Sequence, residues 1–146
     1  MKHRSGFSLV ELVVVIMILG ILAAVAAPKL LNTSSAATDN SLRQSLSVVR
    51  DAIELYAAQN NGALPGQSDN LQADLANYLR GGVLPNSPVG SKLNSVKYST
   101  GTGAISGESG TASTVAGWNY NKTTGEFICN FNGATTSNSS INYDDL

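Results

Sequence analysis

The first clear pattern along the chain is an apolar run near the N-terminus. The 16 residues from Leu12 to Ala27 carry no charge, and over residues 7–28 the one charged side chain is Glu11. A helix needs about 20 mainly apolar residues to cross the hydrocarbon core of a bilayer. The run is therefore just long enough to span a membrane. Because Lys2 and Arg4 precede it, we predict a cytoplasmic N-terminus with the rest of the chain outside.

A second helical pattern follows, with apolar side chains at steps of four and three residues. Its members are Leu42, Leu46, Val49, Ile53 and Tyr56. This spacing is typical of an amphipathic helix that packs on a core. Asn60-Asn61-Gly62 is expected to end the helix. We therefore predict one long helix, membrane-spanning in its first half and packed on a head in its second.

The next part of the chain is predicted to be a connector with a short helix. Ser68 or Asp69 could cap this helix, and Gly81-Gly82 would close it.

Strand patterns come after the connector. Residues 96–99 are predicted to form a short strand, and residues 117–121 and 126–131 a β-hairpin. The Gly-, Ser- and Thr-rich residues 101–114 are expected to be a flexible loop, and the polar residues 133–140 a loosely held tail.

Composition argues against several functions. The net charge is −1, so the chain lacks the basic bulk that a nucleic-acid partner requires. Cys129 is the only cysteine, which excludes an intramolecular disulfide, and a buried structural role is expected for it. The sequence contains no phosphate-binding loop, nucleophile elbow or metal-ligand cluster. We therefore expect neither an enzyme nor a cofactor.

Three interpretations of the apolar run compete. A cleaved secretory signal has an apolar core of about 7–15 residues before a small-residue site, which the alanines between Ala23 and Ala27 could mimic. A plain membrane anchor is the second interpretation. Neither accounts for Glu11, because a carboxylate in a spanning helix costs a few kcal/mol and usually has a partner.

The third interpretation depends on a motif at the start of the run. Residues 6–11 are Gly6-Phe7-Ser8-Leu9-Val10-Glu11, which resembles the processing motif of type IV prepilins and type II secretion pseudopilins. The short basic leader matches too, as does Pro28, the twenty-second residue after the cut. The resemblance implies that a prepilin peptidase cuts after Gly6 and methylates the new N-terminal Phe7. It also implies that the helix is retained and assembles into a filament.

The same resemblance assigns roles in assembly to three positions. Glu11 is expected to meet the Phe7 amine of a neighbouring subunit, although it could instead reach its own Phe7 amine one helical turn away. Gly20 and Pro28 both weaken a helix, and in filaments of this family the stretch between them can melt. In a single chain the helix could simply kink at Pro28.

Later motifs are similar to those of the major pseudopilins of type II secretion. The connector runs through an Asn-Gly, a proline, a short helix and a Pro-x-x-Pro-x-Gly loop at Pro85–Gly90. The late hairpin has the pattern Gly-Trp-x-Tyr-x-x-x-Thr-Gly-Glu from Gly117. Ser87 and Val89 depart from the Asp and Trp of that family.

The acidic residues that hold calcium in that family have no clear counterpart in this chain. Asp144 and Asp145 are expected to be solvated. No cofactor is therefore expected, with calcium as the alternative.

The expected fold is α+β, a pilin fold with a long N-terminal helix packed on a small antiparallel sheet. Its expected parts are a cleaved leader at 1–6, a transmembrane and assembly helix at 7–28, an amphipathic helix at 29–62, a connector at 63–95, a β-sheet region at 96–132 and a polar tail at 133–146.

The expected function is that of a structural subunit of a filament, which favours a periplasmic pseudopilus for protein secretion. A surface pilin for adhesion, motility or DNA uptake is the alternative, and a membrane-anchored periplasmic binding module is the alternative of another class. Expected partners are further copies of the chain, other pilin-like subunits, the prepilin peptidase and an inner-membrane assembly platform with its ATPase. The expected location is the bacterial inner membrane, single-pass, with the head in the periplasm until the subunit is extracted into a filament.

Overall fold

The chain folds as one long helix followed by a small mixed head. A computed structural model describes residues 8–111 and 115–146. Helix α1 runs over Leu9–Gln59, 51 residues. The chain divides into two compact units between Ser35 and Ala36.

The second half of α1 supplies one wall of the head core. Leu42, Leu46, Val49 and Ile53 are at most 4% exposed, which confirms the predicted apolar stripe, and Tyr56 is half-buried at its end. Asp39 continues the same stripe toward the N-terminus and is also buried. The last turn of α1 closes as predicted near Gly62, whose amide donates to the Ala57 carbonyl at 2.8 Å.

The connector contains the predicted short helix, but a different residue caps it. Helix α2 covers Leu71–Asp74, and the side chain of Asn70 accepts a hydrogen bond from the Ala73 amide at 3.2 Å. The prediction of Ser68 or Asp69 as the cap is wrong. Asp69 has a φ of 58°, outside the extended region that an N-cap adopts, and its carboxylate pairs with Lys122 at 2.7 Å. A 3-10 turn at Arg80–Gly82 follows.

Three short strands form one sheet in the order β1-β2-β3: Val96–Ser99, Trp118–Asn121 and Phe127–Cys129. Strands β2 and β3 form the predicted antiparallel hairpin, with Trp118 opposite Cys129. Strand β1 pairs with β2 in parallel, with Val96 opposite Trp118. The α+β pilin fold is confirmed, whereas the prediction of an antiparallel sheet is wrong for this pair. The connection between β1 and β2 returns the chain to the same end of the sheet, as a parallel pair requires.

One face of the sheet completes the core. Trp118, Tyr120, Phe127 and Cys129 are all at most 1% exposed, and the rings of Trp118 and Phe127 lie 5.1 Å apart. The polar atoms of the Trp118 and Tyr120 side chains are both hydrogen-bonded. Trp118 Nε1 donates to the Pro85 carbonyl at 2.8 Å, and the Tyr120 hydroxyl donates to the Pro65 carbonyl at 3.0 Å. The predicted buried role of Cys129 is confirmed.

The other face of the sheet is buried through asparagines together with Ile128, which lies opposite Asn119. Asn119 Nδ2 donates to the Ser106 carbonyl at 3.1 Å, and Asn121 Nδ2 donates to the Gly101 carbonyl at 3.0 Å. These bonds hold the loop after β1 over the sheet. The prediction of a flexible loop is therefore wrong for its described residues 101–111, because buried amides bind its backbone.

The C-terminal segment is also held in place. The Thr135 amide donates to the Ile141 carbonyl at 2.8 Å, and the Tyr143 amide donates to the Gly133 carbonyl at 2.9 Å. Tyr143 opens a 3-10 turn, Tyr143–Asp145, and its side chain is buried. The prediction of a loose tail is wrong because these polar residues bond one another and Asp39.

Asp144 departs from the prediction in the same way. It is half-buried, and its Oδ2 accepts a hydrogen bond from the Gly107 amide at 2.8 Å. Asp145 is exposed to solvent. The expectation of solvated acids therefore holds for Asp145 alone.

Gly117 provides a test of this packing, because a Cβ at that position would lie 1.9 Å from the Leu93 carbonyl oxygen. That oxygen already accepts a hydrogen bond from the buried Ser87 amide at 3.0 Å, so it cannot move without breaking the bond. We expect Gly117→Ala to lower the free energy of unfolding by roughly 3 kcal/mol. The measurement is equilibrium unfolding of the full chain in detergent, followed by far-UV circular dichroism.

Gly103→Ala is the matched control, since a Cβ at Gly103 would meet nothing within 4 Å. It should change the free energy of unfolding by no more than about 0.5 kcal/mol. Equal stability of the two variants would contradict the close approach at Gly117.

Candidate functional site

The first half of α1 is an apolar surface that the described residues leave uncovered. The segment Leu9–Ala27 is 19 residues long, has a mean hydropathy of 3.0 and meets the length and composition of a membrane span. The large apolar side chains between Leu9 and Val25 are 44–77% exposed. An apolar surface this large needs lipid or another protein against it.

Glu11 takes part in the start of this helix. Its Oε2 accepts a hydrogen bond from the backbone amide of Ser8 at 2.9 Å. Ser8 directly precedes the helix, so Glu11 occupies the position from which a capping box reaches back. The carboxylate thus satisfies one of the backbone donors that a helix start leaves unpaired.

This capping role was missed in the sequence, although the signal was present as Ser8-x-x-Glu11. Gly6 and Phe7 lie outside the described residues. Both arrangements of Glu11 with a Phe7 amine therefore stay predictions. A carboxylate has two oxygens, so the bond to Ser8 leaves capacity for a second partner.

Gly20 and Pro28 both lie within the bounds of α1. A Cβ at Gly20 would meet nothing within 4 Å, so no contact inside the single chain requires a glycine there. Pro28 has no amide hydrogen, which removes one bond of the helical ladder. The helix of the single chain therefore has two intrinsically weak points within its apolar half.

The head presents a groove along the exposed face of α1. It has a volume of about 330 Å³ and is lined by Ser41, Gln44, Ser45, Val48, Leu79, Arg80, Val83 and Pro85. Val48 and Val83 are each almost half exposed. Arg80 is the one charged residue of this lining.

An acidic strip lies further along the same helix. It is lined by Asp51, Glu54, Leu55 and Ala58, and Leu55 is 49% exposed. Leu55 follows Val48 by seven residues, which places both on the same side of an α-helix. The outer face of the head half thus combines apolar side chains with a basic group toward one end and acidic groups toward the other.

The reactive groups inside the head, the Cys129 thiol and the Tyr120 hydroxyl, are buried and unreactive. Burial raises the pKa of the Cys129 thiol, which disfavours the nucleophilic thiolate. Burial also raises the pKa of Tyr120 to about 12, so its hydroxyl stays a hydrogen-bond donor. Among the described residues, no three His, Cys, Asp or Glu side chains come together as metal ligands would.

Comparison with known proteins finds a family match for the N-terminal part of the chain and relatives for a larger part of it. The family model described as "Prokaryotic N-terminal methylation motif" matches residues 1–27. This match covers Gly6, Phe7, Glu11 and Gly20 and ends one residue before Pro28. It identifies the apolar run as the helix of a prepilin-type motif.

Three relatives are named "Type II secretion system core protein G". The protein of Aeromonas hydrophila is 28% identical over 136 residues, which cover 81% of this chain and 94% of the relative. The protein of Vibrio cholerae is 27% identical over 139 residues, which cover 82% and 94%. The protein of Klebsiella pneumoniae is 32% identical over 103 residues, which cover 62% of this chain and 73% of the relative. No solved structure matches the chain.

These matches confirm the resemblance to pilin-like proteins that the N-terminal motif indicated. They extend well beyond the motif, through the connector and into the sheet region, and the relatives are named for type II secretion rather than for a surface pilus. The chain belongs to the family of type II secretion system core protein G, the major pseudopilins.

Proposed function

We propose that the chain is the repeating structural subunit of a pseudopilus, the periplasmic filament of a type II secretion system. Before assembly one N-terminal helix anchors it in the inner membrane, with the N-terminus in the cytoplasm and the head in the periplasm. The observation that carries the proposal is the uncovered apolar helix Leu9–Ala27, joined to a prepilin motif on a chain related to core protein G.

The apolar helix explains how one chain can be stable both in the membrane and in the filament. Covering a large apolar side chain is worth roughly 1.5–3 kcal/mol, so the segment does not stay in water. Lipid covers it in the membrane, and the helices of neighbouring copies cover it in the filament. Because both surroundings are apolar, transfer from one to the other costs far less than exposure to water would.

Glu11 is proposed to set the register of each new subunit. Cleavage after Gly6 leaves a positive amine on Phe7, and the carboxylate of Glu11 in an adjacent copy can pair with it inside the helix bundle. A buried charge without a partner is destabilising by several kcal/mol. Only the axial offset that brings the two charges together avoids this cost.

The stretch from Gly20 to Pro28 is proposed to lose helical structure in the filament. Its two ends are the weak points of the apolar half of α1, and nothing in the single chain requires a glycine at Gly20. Local melting would let the helix lengthen and fit its neighbours. An extended residue spans about 3.3 Å, against 1.5 Å in a helix.

The heads are proposed to contact one another through the outer face of α1. The groove around Val48 contains Arg80, whereas the strip around Leu55 contains Asp51 and Glu54. A second copy shifted along the filament axis can place its acidic strip on this groove. Two different patches that join head to tail generate an open helical polymer when the rotation between successive copies does not close a ring.

The remaining assignments follow from this role. The prepilin peptidase would process the chain, and an inner-membrane platform driven by a cytoplasmic ATPase would add it to the filament with other pilin-like subunits. The chain itself acts as a structural subunit and not as an enzyme. Its inert buried groups and its exposed apolar surfaces support this assignment.

Mass analysis of the N-terminus tests the processing step. Protein isolated from native membranes should begin at methylated Phe7. A terminus near Ala27 or Pro28 would mean a secretory signal, and an intact leader would mean a plain anchor. Either result would refute the filament proposal.

Substitution of Glu11 separates its two roles. Glu11→Gln keeps a side chain able to cap the helix but loses the charge, whereas Glu11→Ala loses both. If pairing with the amine drives assembly, both variants should lower the yield of sheared filaments at least tenfold while membrane levels stay normal. Normal assembly of Glu11→Gln would contradict the charge pair and leave only the capping role.

Hydrogen exchange tests the melting proposal. Amides between Gly20 and Pro28 should exchange faster in assembled filaments than in single subunits held in micelles. Gly20→Ala raises helix stability by up to about 1 kcal/mol and should slow that exchange about fivefold. Gly103→Ala, in an open loop, is the control and should have no effect there. Uniform protection along the helix in filaments would exclude melting.

A charge swap tests the head contact. Arg80, Asp51 and Glu54 are exposed, so Arg80→Glu and Glu54→Arg should each leave the fold intact. Each single change should lower filament yield several-fold, because it places like charges together. The double variant should recover most of the loss. A double variant no better than the singles would exclude this pairing.

A further inference from the structure

Asp39 is an ionisable side chain in the apolar stripe of α1. It precedes Leu42 by three residues on the same helix face and is 3% exposed. A buried carboxylate is strongly unfavourable unless hydrogen bonds or charges compensate it. The groups that compensate the buried Asp39 carboxylate therefore indicate its structural role.

The carboxylate is bound by hydrogen-bond donors from one distant segment, which contains Thr136, Ser137 and Tyr143. Oδ1 accepts hydrogen bonds from the Tyr143 hydroxyl at 2.8 Å and from Thr136 Oγ1 at 3.1 Å. Oδ2 accepts from the Ser137 amide at 3.0 Å and also from the Ser137 hydroxyl. Asp39 and Tyr143 are separated by 104 residues, so these bonds join the C-terminal segment to α1.

The donor segment is organised around the same carboxylate. The Tyr143 hydroxyl accepts from the Thr136 amide at 3.2 Å while it donates to Asp39. The Tyr143 ring stacks on Phe131 at 5.9 Å, and Thr135 Oγ1 donates to the Asn138 carbonyl at 2.7 Å. The polar residues of this segment thus form a closed cluster, which we call the Asp39 cluster: Asp39, Thr136, Ser137 and Tyr143.

The resemblance to major pseudopilins implies a calcium ion held by late acidic residues. Calcium takes six to eight oxygen ligands, several of them carboxylates. The late acids of this chain are dispersed and engaged elsewhere. Glu108 pairs with Lys97 at 2.6 Å, Glu126 Oε2 accepts from the Ile105 amide at 3.1 Å, and Asp144 Oδ2 accepts from the Gly107 amide.

Asp144 Oδ1 is buried without a hydrogen-bond partner, but a single carboxylate oxygen does not make a calcium site. Within residues 8–111 and 115–146, no three acidic, histidine or cysteine side chains gather as metal ligands. The residues present do not fit the ion.

We propose that the Asp39 carboxylate replaces a bound cation as the anchor of the C-terminal segment, so that the head of this pseudopilin folds independently of calcium. The two kinds of anchor carry opposite charges and therefore gather different groups. A cation gathers oxygen ligands, whereas the Asp39 carboxylate gathers hydroxyl and amide donors. The serine and threonine content of the segment supplies those donors.

The protonation of Asp39 agrees with this role. Burial would raise its pKa, but the bonds from Ser137, Tyr143 and Thr136 outweigh burial and hold the pKa below its ordinary value of 3.8. The contribution to stability is therefore present above about pH 4 and is lost as the pH falls through the folded-state pKa. Tyr143 is the titratable group in contact with Asp39, and Arg43, four residues further along α1, is exposed.

The test compares Asp39→Asn with calcium removal in the full chain held in detergent. Thermal unfolding is followed by the fluorescence of Trp118, the only tryptophan, which is fully buried in the head. The midpoint of the natural chain should agree within about 1 °C between millimolar calcium and excess chelator. Asp39→Asn should lower it by on the order of 10 °C in both buffers. Asp51→Asn, which removes an exposed carboxylate from the same helix, should change it by less than about 2 °C.

A milder variant covers the case in which Asp39→Asn does not fold. Tyr143→Phe removes the hydroxyl but keeps the ring on Phe131. It should speed hydrogen exchange at residues 135–143 at least tenfold, in calcium and in chelator alike.

Calcium that raises the midpoint of the natural chain by 5 °C or more would overturn the proposal, as would an Asp39→Asn variant no less stable than Asp51→Asn. None of these measurements depends on filament assembly, so either proposal can fail without the other.

Discussion

One half of α1 exposes apolar side chains that must be covered against water, and this constraint organises the rest of the molecule. The large apolar side chains of the segment Leu9–Ala27 are exposed, whereas the head has a core of its own that includes Leu46, Trp118 and Phe127. The cover must come from outside the chain, first as lipid and then as other copies. Membrane storage and polymerisation thus use the same surface, and the head must be stable in both settings.

The head meets this requirement with an apolar core on one side of the sheet and with buried asparagines beside Ile128 on the other. Trp118 and Tyr120 pack against α1, whereas Asn119 and Asn121 bind the backbone of the loop above them. Asp39 fixes the C-terminal segment in the same manner. Hydrogen bonds to buried side chains are directional, so they hold irregular segments that contribute few apolar contacts. The outer face of α1 remains available for other copies.

Periodicity made much of this architecture predictable. The stripe from Leu42 to Ile53 and the hairpin around Gly125 are local patterns, and both occur as expected. The parallel pairing of β1 with β2 depends on a long connection whose Gly- and Ser-rich composition is also that of a flexible loop. The tail was misjudged for a similar reason, because its order depends on a carboxylate about 100 residues away. Asp39 itself gave a signal, since it continues the apolar stripe at helical spacing.

The capping bond of Glu11 bears on why processing precedes assembly. In the single chain the carboxylate accepts a hydrogen bond from the Ser8 amide at the first turn of the helix. That bond survives cleavage, because Ser8 keeps its peptide bond to Phe7. Before cleavage, however, the chain has no amine at Phe7, so a neighbouring Glu11 drawn into a helix bundle would stay unpaired at a cost of several kcal/mol. Under the proposed processing, removal of the leader would create the charge that makes burial of the next subunit's carboxylate tolerable.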